Sequence, residues 1–377
     1  MYRASEGFEA WRFKSYRGLT MTLMWMDLRF APVRPKWRAM SASTPPALDR
    51  RFSVAPMMDW TDRHCRAFHR VLTRRALLYT EMAVDQAVIR GDTGRLIGFD
   101  PAEHPVAIQL GGADPKSLAE AAKIAEQFGY AEVNLNVGCP SDRVQSGKFG
   151  ACLMREPELV RDCLIAMAEA VSIPVTVKHR LGVDDQDPEK TLLAFVDTVA
   201  QSGVTSFAVH ARKAWLKGLS PKENRDVPPL DYALVHRLKA ERPDLEIILN
   251  GGLADLDAAL AAQASKDGVR LDGVMLGRAA YHTPWILSEV DSRMFGEPDP
   301  VSDSVDALFA YRPYIEGELS RGTRLHAITR HMLGLFSGRP GARKFRQILS
   351  EKANRPGAGW DVVEAALAAV APERVAA

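Results

Sequence analysis

Cysteine is scarce in this chain: Cys65, Cys139, Cys152 and Cys163 are the four among 377 residues. None forms a CxxC pair or a Cys/His spacing of zinc-site type, which speaks against a disulfide framework and a structural metal. Long apolar runs are missing as well. No segment approaches the uncharged stretch a membrane span needs, so no membrane partner is expected. Charge of one sign is not in excess either: 49 Lys and Arg face 47 Asp and Glu. Whole-chain charge therefore points to no partner. No GxGxxG follows a predicted strand and no GxxxxGK[ST] occurs, which excludes a Rossmann site and a P-loop. The expectation is a reduced, cytoplasmic protein without a metal.

What is present is length and rhythm. The chain can hold one large α/β barrel and a smaller second domain. Residues 1–48 are rich in Arg, Met and Trp without helical or strand periodicity. They are expected to be a poorly ordered extension, or the product of an upstream start with the working chain beginning near Met40. From Ser53 onward, apolar and β-branched runs alternate with amphipathic stretches. The predicted strands are Ser53–Pro56, Leu77–Glu81, Val106–Leu110, Glu132–Asn136, Val175–His179, Ser206–His210, Glu246–Asn250 and Gly273–Leu276. Helices are expected over Pro115–Phe128, Pro157–Ala170 and Pro188–Gln201, with proline in the first turn and Asp114 and Asp187 as N-caps. Asp85–His104 reads as loop. The pattern predicts a TIM (β/α)₈ barrel over 49–295. Past a Pro/Asp/Ser-rich linker, 301–377 reads as helices alone: Ser304–Ser320, Arg324–Phe336, Ala342–Ala353 and Trp360–Val370. That segment is expected to be a separate helical domain.

In a TIM barrel the chemistry sits at the C-terminal ends of the strands. The uncommon residues of this chain fall there in turn: Pro56, Met57 and Met58; Gln109; Asn136 and Cys139; Lys178; His210; Asn250, Gly251 and Gly252; Gly277 and Arg278. Glycines at the ends of the last two strands expose N–H groups to an anion, and Arg278 adds charge. Lys178 and His210 suit an electron-rich edge, Gln109 and Asn134 a flat heterocycle, and the two methionines a soft face against it. A phosphate beside a flat ring at the barrel mouth suggests FMN. Cys139 follows a strand end and a glycine, precedes a proline and opens a glycine-containing, basic loop; it is the candidate reactive thiol. Gly147 and Gly150 suggest that this loop can move over a substrate. Asp59 is expected to cap the helix starting near Thr61. His179 should point away from Lys178, because strand side chains alternate.

These residues together resemble a known family. PMMDWTDRHCR, EVNLNVGCPSDRVQSGKFGACLM, VKHRLG, HARKAWLKGLSPKENRDVPPLDY, LNGG and GRAAYHTPW closely resemble the tRNA-dihydrouridine synthases, in particular their bacterial A branch. The likeness runs from about Ser53 through the helical tail. It implies FMN as cofactor, NADPH as reductant and uridines 20 and 20a of the tRNA D loop as targets. By motif it implies hydride transfer from flavin N5 to C6, with Cys139 protonating C5 and Asn136 contacting the base. It also implies that Pro56, Met57, Met58, Gln109, Lys178, His210, Asn250, Gly251, Gly252, Gly277 and Arg278 hold the flavin.

Local charge agrees with an RNA partner. Arg212, Lys213, Lys217, Lys222 and Arg225 follow the sixth strand, and Arg343 and Arg346 belong to a basic run in the tail. Arg212, Lys222, Arg225, Arg343 and Arg346 are the expected phosphate contacts. A monomer is expected. The competing enzyme is an FMN barrel reducing a small molecule, of the dihydroorotate-dehydrogenase or enoate-reductase type, which leaves the basic tail unexplained. A barrel that binds RNA without catalysis leaves Cys139, Lys178 and His210 unexplained.

Overall fold

A computed structural model describes residues 48–374; the expectations for the leader fall almost wholly outside them. Eight parallel strands close into a barrel in sequence order. They are β1 (Phe52–Val54), β2 (Leu77–Val84), β3 (Val106–Gly111), β4 (Glu132–Val137), β5 (Val175–Arg180), β6 (Ser206–His210), β7 (Glu246–Asn250) and β8 (Gly273–Leu276). The described residues fall in one compact unit.

Alternation along each strand sorts the core into two parts. Val133, Leu135 and Val137 of β4 face outward and pack in the large cluster between strands and helices. The barrel interior holds a smaller apolar group, among them Tyr79, Ala107, Ala208, Ile248 and Met275. The remaining inward positions are polar and buried, including Gln109, Glu132, Asn134 and Thr176. At the floor, Arg50 reaches Glu132 at 2.6 Å and Glu246 at 3.1 Å.

The helices around the barrel are α1 (Arg63–Leu72), α2 (Asp85–Arg90), α3 (Thr93–Ile97), α4 (Pro115–Phe128), α5 (Asp142–Ser146), α6 (Pro157–Ala170), α7 (Pro188–Ala200), α8 (Tyr232–Glu241), α9 (Leu256–Gln263) and α10 (Arg278–His282). Asp114 and Asp187 cap α4 and α7 through the N–H groups of Ser117 and Glu189. Two expectations fail here. Asp85–His104 is not a loop but carries α2, α3 and a capped 3₁₀ turn at Pro101–Glu103; these pieces are too short to show a helical period. Asp59 does not cap α1. Asp62 does, accepting the N–H of Cys65, whereas Asp59 sits at φ +64° with its N–H on Glu81.

The tail comprises α11 (Ser304–Ser320), α12 (Leu325–Thr329), α13 (Ala342–Lys352) and α14 (Trp360–Leu367). The helix expected over Arg324–Phe336 stops at Thr329 and gives way to turns. The tail is bound to the barrel by specific pairs. The Tyr311 hydroxyl donates to the His64 carbonyl at 2.8 Å, and Arg330 reaches Asp62 at 2.6 Å beside His331. Among the described residues, no helix is long and apolar enough to cross a membrane.

Candidate active site

Cys139 lies half-buried just past the end of β4, with its backbone N–H on the Oδ1 of Asn136 at 2.9 Å. The same oxygen accepts the N–H of Gly138 at 3.1 Å. A polar chain continues downward from Asn136. Its Nδ2 donates to Gln109 Oε1 (2.7 Å), Gln109 Nε2 to Asn134 Oδ1 (2.8 Å), and Asn134 Nδ2 to Thr176 Oγ1 (2.9 Å). Thr176 Oγ1 then donates to Glu132 at 2.6 Å, where the Tyr79 hydroxyl also donates. The loop that bears the cysteine is thus anchored through the barrel to the ion pair at its floor.

The Cys139 carbonyl accepts the N–H of Ala151 at 2.9 Å, which turns the loop back on itself. This return requires Gly150: its φ is +73°, and a Cβ there would lie 2.7 Å from the Cys139 oxygen. At Gly147 a Cβ would meet the Phe149 ring at 2.4 Å. The two glycines therefore serve close packing, and the mobility expected of them is not what requires them.

Lys178 stands beside Asn136 across the β4–β5 pairing. Burial, reinforced by the charge of Arg180, lowers its pKa to about 7. His210 ends β6, and burial together with Arg180 and Lys178 pushes it well below its ordinary value, so its ring is neutral. Arg180 is buried and joins the same inward row as Lys178. Its Nε donates to the Gly138 carbonyl at 2.9 Å, next to the cysteine. His179 points the other way, as alternation predicts, between Phe195 and Phe207.

At the ends of β7 and β8 the chain forms a cradle. Gly251 and Gly252 have φ of +108° and +71°, and a Cβ on Gly251 would lie 3.2 Å from His210 Nε2. Gly277 lies beside Met57 and Ala55, and Met58 is half exposed. Arg278 reaches Asp226 at 2.7 Å, tying this end to the loop after β6. His210 Nδ1, Arg212 Nε and Arg225 Nε are buried without a hydrogen-bond partner among the described residues. Orphaned polar atoms near a glycine cradle, two of them guanidinium donors, suit an anion with a polar ring attached.

Several expected residues also make contacts within the protein. Asn250 donates its amide to the Met275 carbonyl at 2.7 Å, within the barrel wall. The Asn136 oxygen is engaged by the cysteine loop. Arg212 is buried and turned to the Pro228 carbonyl, so it faces into the loop instead of outward. Lys222, Arg343 and Arg346 are exposed. Arg346 joins Arg330, Tyr281 and His282 around a cavity of about 430 Å³ between the tail and α10. Arg180, Glu132 and Gln145 join the site without a role expected from the sequence. Arg180 carried a usable signal, two positions from Lys178 on one strand. The other two carried none.

The dihydrouridine synthase family matches residues 53–371. A tRNA-dihydrouridine(20/20a) synthase of Xanthomonas campestris pv. campestris is 59% identical over 316 residues, 84% of this chain and 92% of that protein. Those of Yersinia pestis (59% over 324 residues, 86% and 92%) and Escherichia coli K12 (55% over 337 residues, 89% and 96%) are similar. With the match covering nearly all of the barrel and tail, the chain belongs to the dihydrouridine synthase family of flavin-dependent tRNA-modifying oxidoreductases.

Proposed function

We propose that this chain reduces the C5–C6 double bond of uridines 20 and 20a in the tRNA D loop, giving 5,6-dihydrouridine, with FMN as cofactor and NADPH as reductant. The observation that carries the reading is the half-buried Cys139, held at its N–H by Asn136 and standing at the strand ends that also present Lys178 and His210. FMN, when bound, supplies the hydride that C6 of the uracil receives. Pro56, Met57 and Met58 line one side of its place, Gln109 the barrel interior, and Lys178 and neutral His210 its electron-rich edge. Asn250, Gly251, Gly252, Gly277 and Arg278 surround the phosphate, joined by the inward-turned Arg212 and by Arg225.

Reduction leaves negative charge on the carbonyl side of the uracil and a proton deficit at C5. The Cys139 thiol donates that proton as general acid, and the tight loop fixes it against the base. Lys178 and Arg180, both cationic-capable and close to Cys139, hold the developing charge. A base stacked in tRNA must leave its stack to enter the mouth. Lys222, Arg343 and Arg346, with Arg330 beside the junction cavity, supply phosphate contacts around that entry, and shape recognition of this kind needs no base-edge code. The division of labour proposed is a flavin barrel over 49–295 and an RNA-binding tail over 301–377, acting as a cytoplasmic monomer.

The test is direct. Purified protein is incubated with NADPH and tRNA lacking dihydrouridine, and D-loop fragments are weighed by mass spectrometry. A two-hydrogen gain at position 20 or 20a that disappears in Cys139→Ala supports the reading. A yellow protein that oxidises NADPH without such a gain would move it to a small-molecule reductase.

A further inference from the structure

The cysteine loop is fastened on both sides to a single neighbour. Gln145, half-buried in α5, donates its Nε2 to the Pro140 carbonyl at 2.8 Å and to the Leu216 carbonyl at 2.9 Å. Pro140 follows Cys139, and Leu216 lies in the loop after β6. Arg180 makes the matching tie on the other side. Its Nε holds the Gly138 carbonyl, and its Nη1 donates to the carbonyls of Lys213 (3.1 Å) and Asn224 (2.9 Å) in that same loop.

The loop after β6 is itself stiff. Asn224 is buried, accepts the Trp215 N–H at 2.7 Å, and donates to the carbonyls of Trp215 and Leu219. Asp184 accepts the Leu216 N–H at 2.7 Å. A braced segment carrying Lys213, Lys217 and Lys222 therefore shares side-chain bridges with the peptide groups flanking the thiol.

We infer that Gln145 is a positioning residue for proton transfer, fixing Cys139 by bonding its neighbouring peptide to the basic loop after β6. The inference rests on the reading of Cys139 as the acid. A primary amide has two N–H donors, which is what two facing carbonyls require. A role confined to the cysteine loop would need only the Pro140 contact; the bond to Leu216 spans 71 positions of sequence. Proton transfer is steep in distance and angle, so a loop freed from one of its two ties loses rate without losing its acid. RNA phosphates on the exposed Lys217 and Lys222 bear on a segment bonded directly to the cysteine's neighbours, which links docking of the substrate to placement of the proton donor.

The experiment compares holoprotein variants Gln145→Met, Cys139→Ala and the double variant in two half-reactions. Reduction of the bound flavin by NADPH without RNA should be alike in wild type and Gln145→Met. Anaerobic reoxidation of the reduced protein by saturating tRNA should slow about ten-fold or more in Gln145→Met. In the Cys139→Ala background, adding Gln145→Met should cost less than about two-fold, because a residue acting only through the thiol has nothing left to act on. Apart from turnover, iodoacetamide should alkylate Cys139 roughly three-fold faster or more in Gln145→Met, read by peptide mass. Full-speed reoxidation by Gln145→Met, or an equal loss in both backgrounds, overturns the inference. Cys139→Ala as fast as wild type instead removes the acid assignment beneath it. If Gln145→Met does not fold, Gln145→Lys replaces it, since an ammonium can serve both carbonyls; it should keep about a third or more of the wild-type rate. A rate as low as that of Cys139→Ala would again overturn the inference.

Discussion

Asn136 and Cys139 are joined by a 2.9 Å hydrogen bond in which the strand residue's side chain holds the loop residue's backbone. The bond sits where β4 ends, so the last inward side chain of the strand decides how the chain leaves the barrel. Asn136→Ala removes the acceptor for two N–H groups and leaves Gln109 Oε1 without its donor. Losses of this kind cost about 1–3 kcal/mol each when buried. We expect roughly ten- to hundred-fold slower tRNA reduction with the flavin retained, measured by single-turnover reoxidation. Unchanged turnover would show that the loop holds itself.

Cys139→Ala should keep the yellow flavin and its reduction by NADPH, and lose about two to four orders of magnitude in tRNA reduction, the range of a missing general acid. Dihydrouridine formation by nucleoside mass spectrometry is the check.

Lys178 sets a pH dependence for flavin binding. Its pKa in the ligand-free protein is about 7, lowered by burial and by Arg180. An electron-rich ligand edge favours the ammonium and raises that pKa. Binding at pH 8 should therefore take up a proton, and affinity should fall as pH rises through 7 and above. Calorimetry of FMN binding in buffers of different ionisation enthalpy reads the proton count. Lys178→Met should abolish the uptake; proton release at pH 8 in the wild type would contradict the assignment.

Asp62 both caps α1 and holds Arg330 and His331 of the tail. Burial works against its charge, but hydrogen bonds from His331, the Cys65 N–H and Arg330 keep its carboxyl well below the usual carboxylate range. A depressed carboxylate stabilises the fold fully above its unfolded pKa of about 4 and loses that contribution progressively as pH falls from there through its lower folded pKa. Asp62→Ala should cost about 2–4 kcal/mol at neutral pH and flatten the acid side of the stability curve, read by urea unfolding. An acid limb as steep as in the wild type would contradict this. The same contacts make deletion of the tail a poor test of RNA binding, since it would strip the barrel of buried partners such as Tyr311.

Surface substitution tests RNA binding better. Arg343→Ala with Arg346→Ala should weaken tRNA binding and lower the slope of log affinity against log salt by about one per charge. Flavin reduction by NADPH should not change. An unaltered salt slope would take both residues off the RNA surface.

Much of this was legible in the sequence because it depends on local repeats. All eight strands lie within a few residues of the expected positions, since each is a short apolar or β-branched run set between helical stretches. Asp114 and Asp187 were readable as caps because proline follows them. The short helices in Asp85–His104 are hidden because five or six residues make less than two turns, too few for a helical period to repeat. The site residues at strand ends were readable from position alone, as with Lys178 and His210. What the sequence hid are ties between distant segments. Gln145 to Leu216, Arg180 to Asn224 and Glu132 to Arg50 depend on closure of the barrel, which no window of sequence contains.

The carboxylate of Glu132 can only accept, and it does so from Tyr79, Thr176 and Arg50. Thr176 must then spend its proton downward, which leaves its oxygen for the Asn134 amide. That choice faces the Asn134 oxygen toward Gln109, and each step upward inherits the same sense. No amide in the column can turn over alone without setting two donors or two acceptors against each other. The barrel interior therefore has a direction. Whether a ligand at its mouth meets an oxygen or an N–H is decided by an acid at the opposite end, which the ligand never touches.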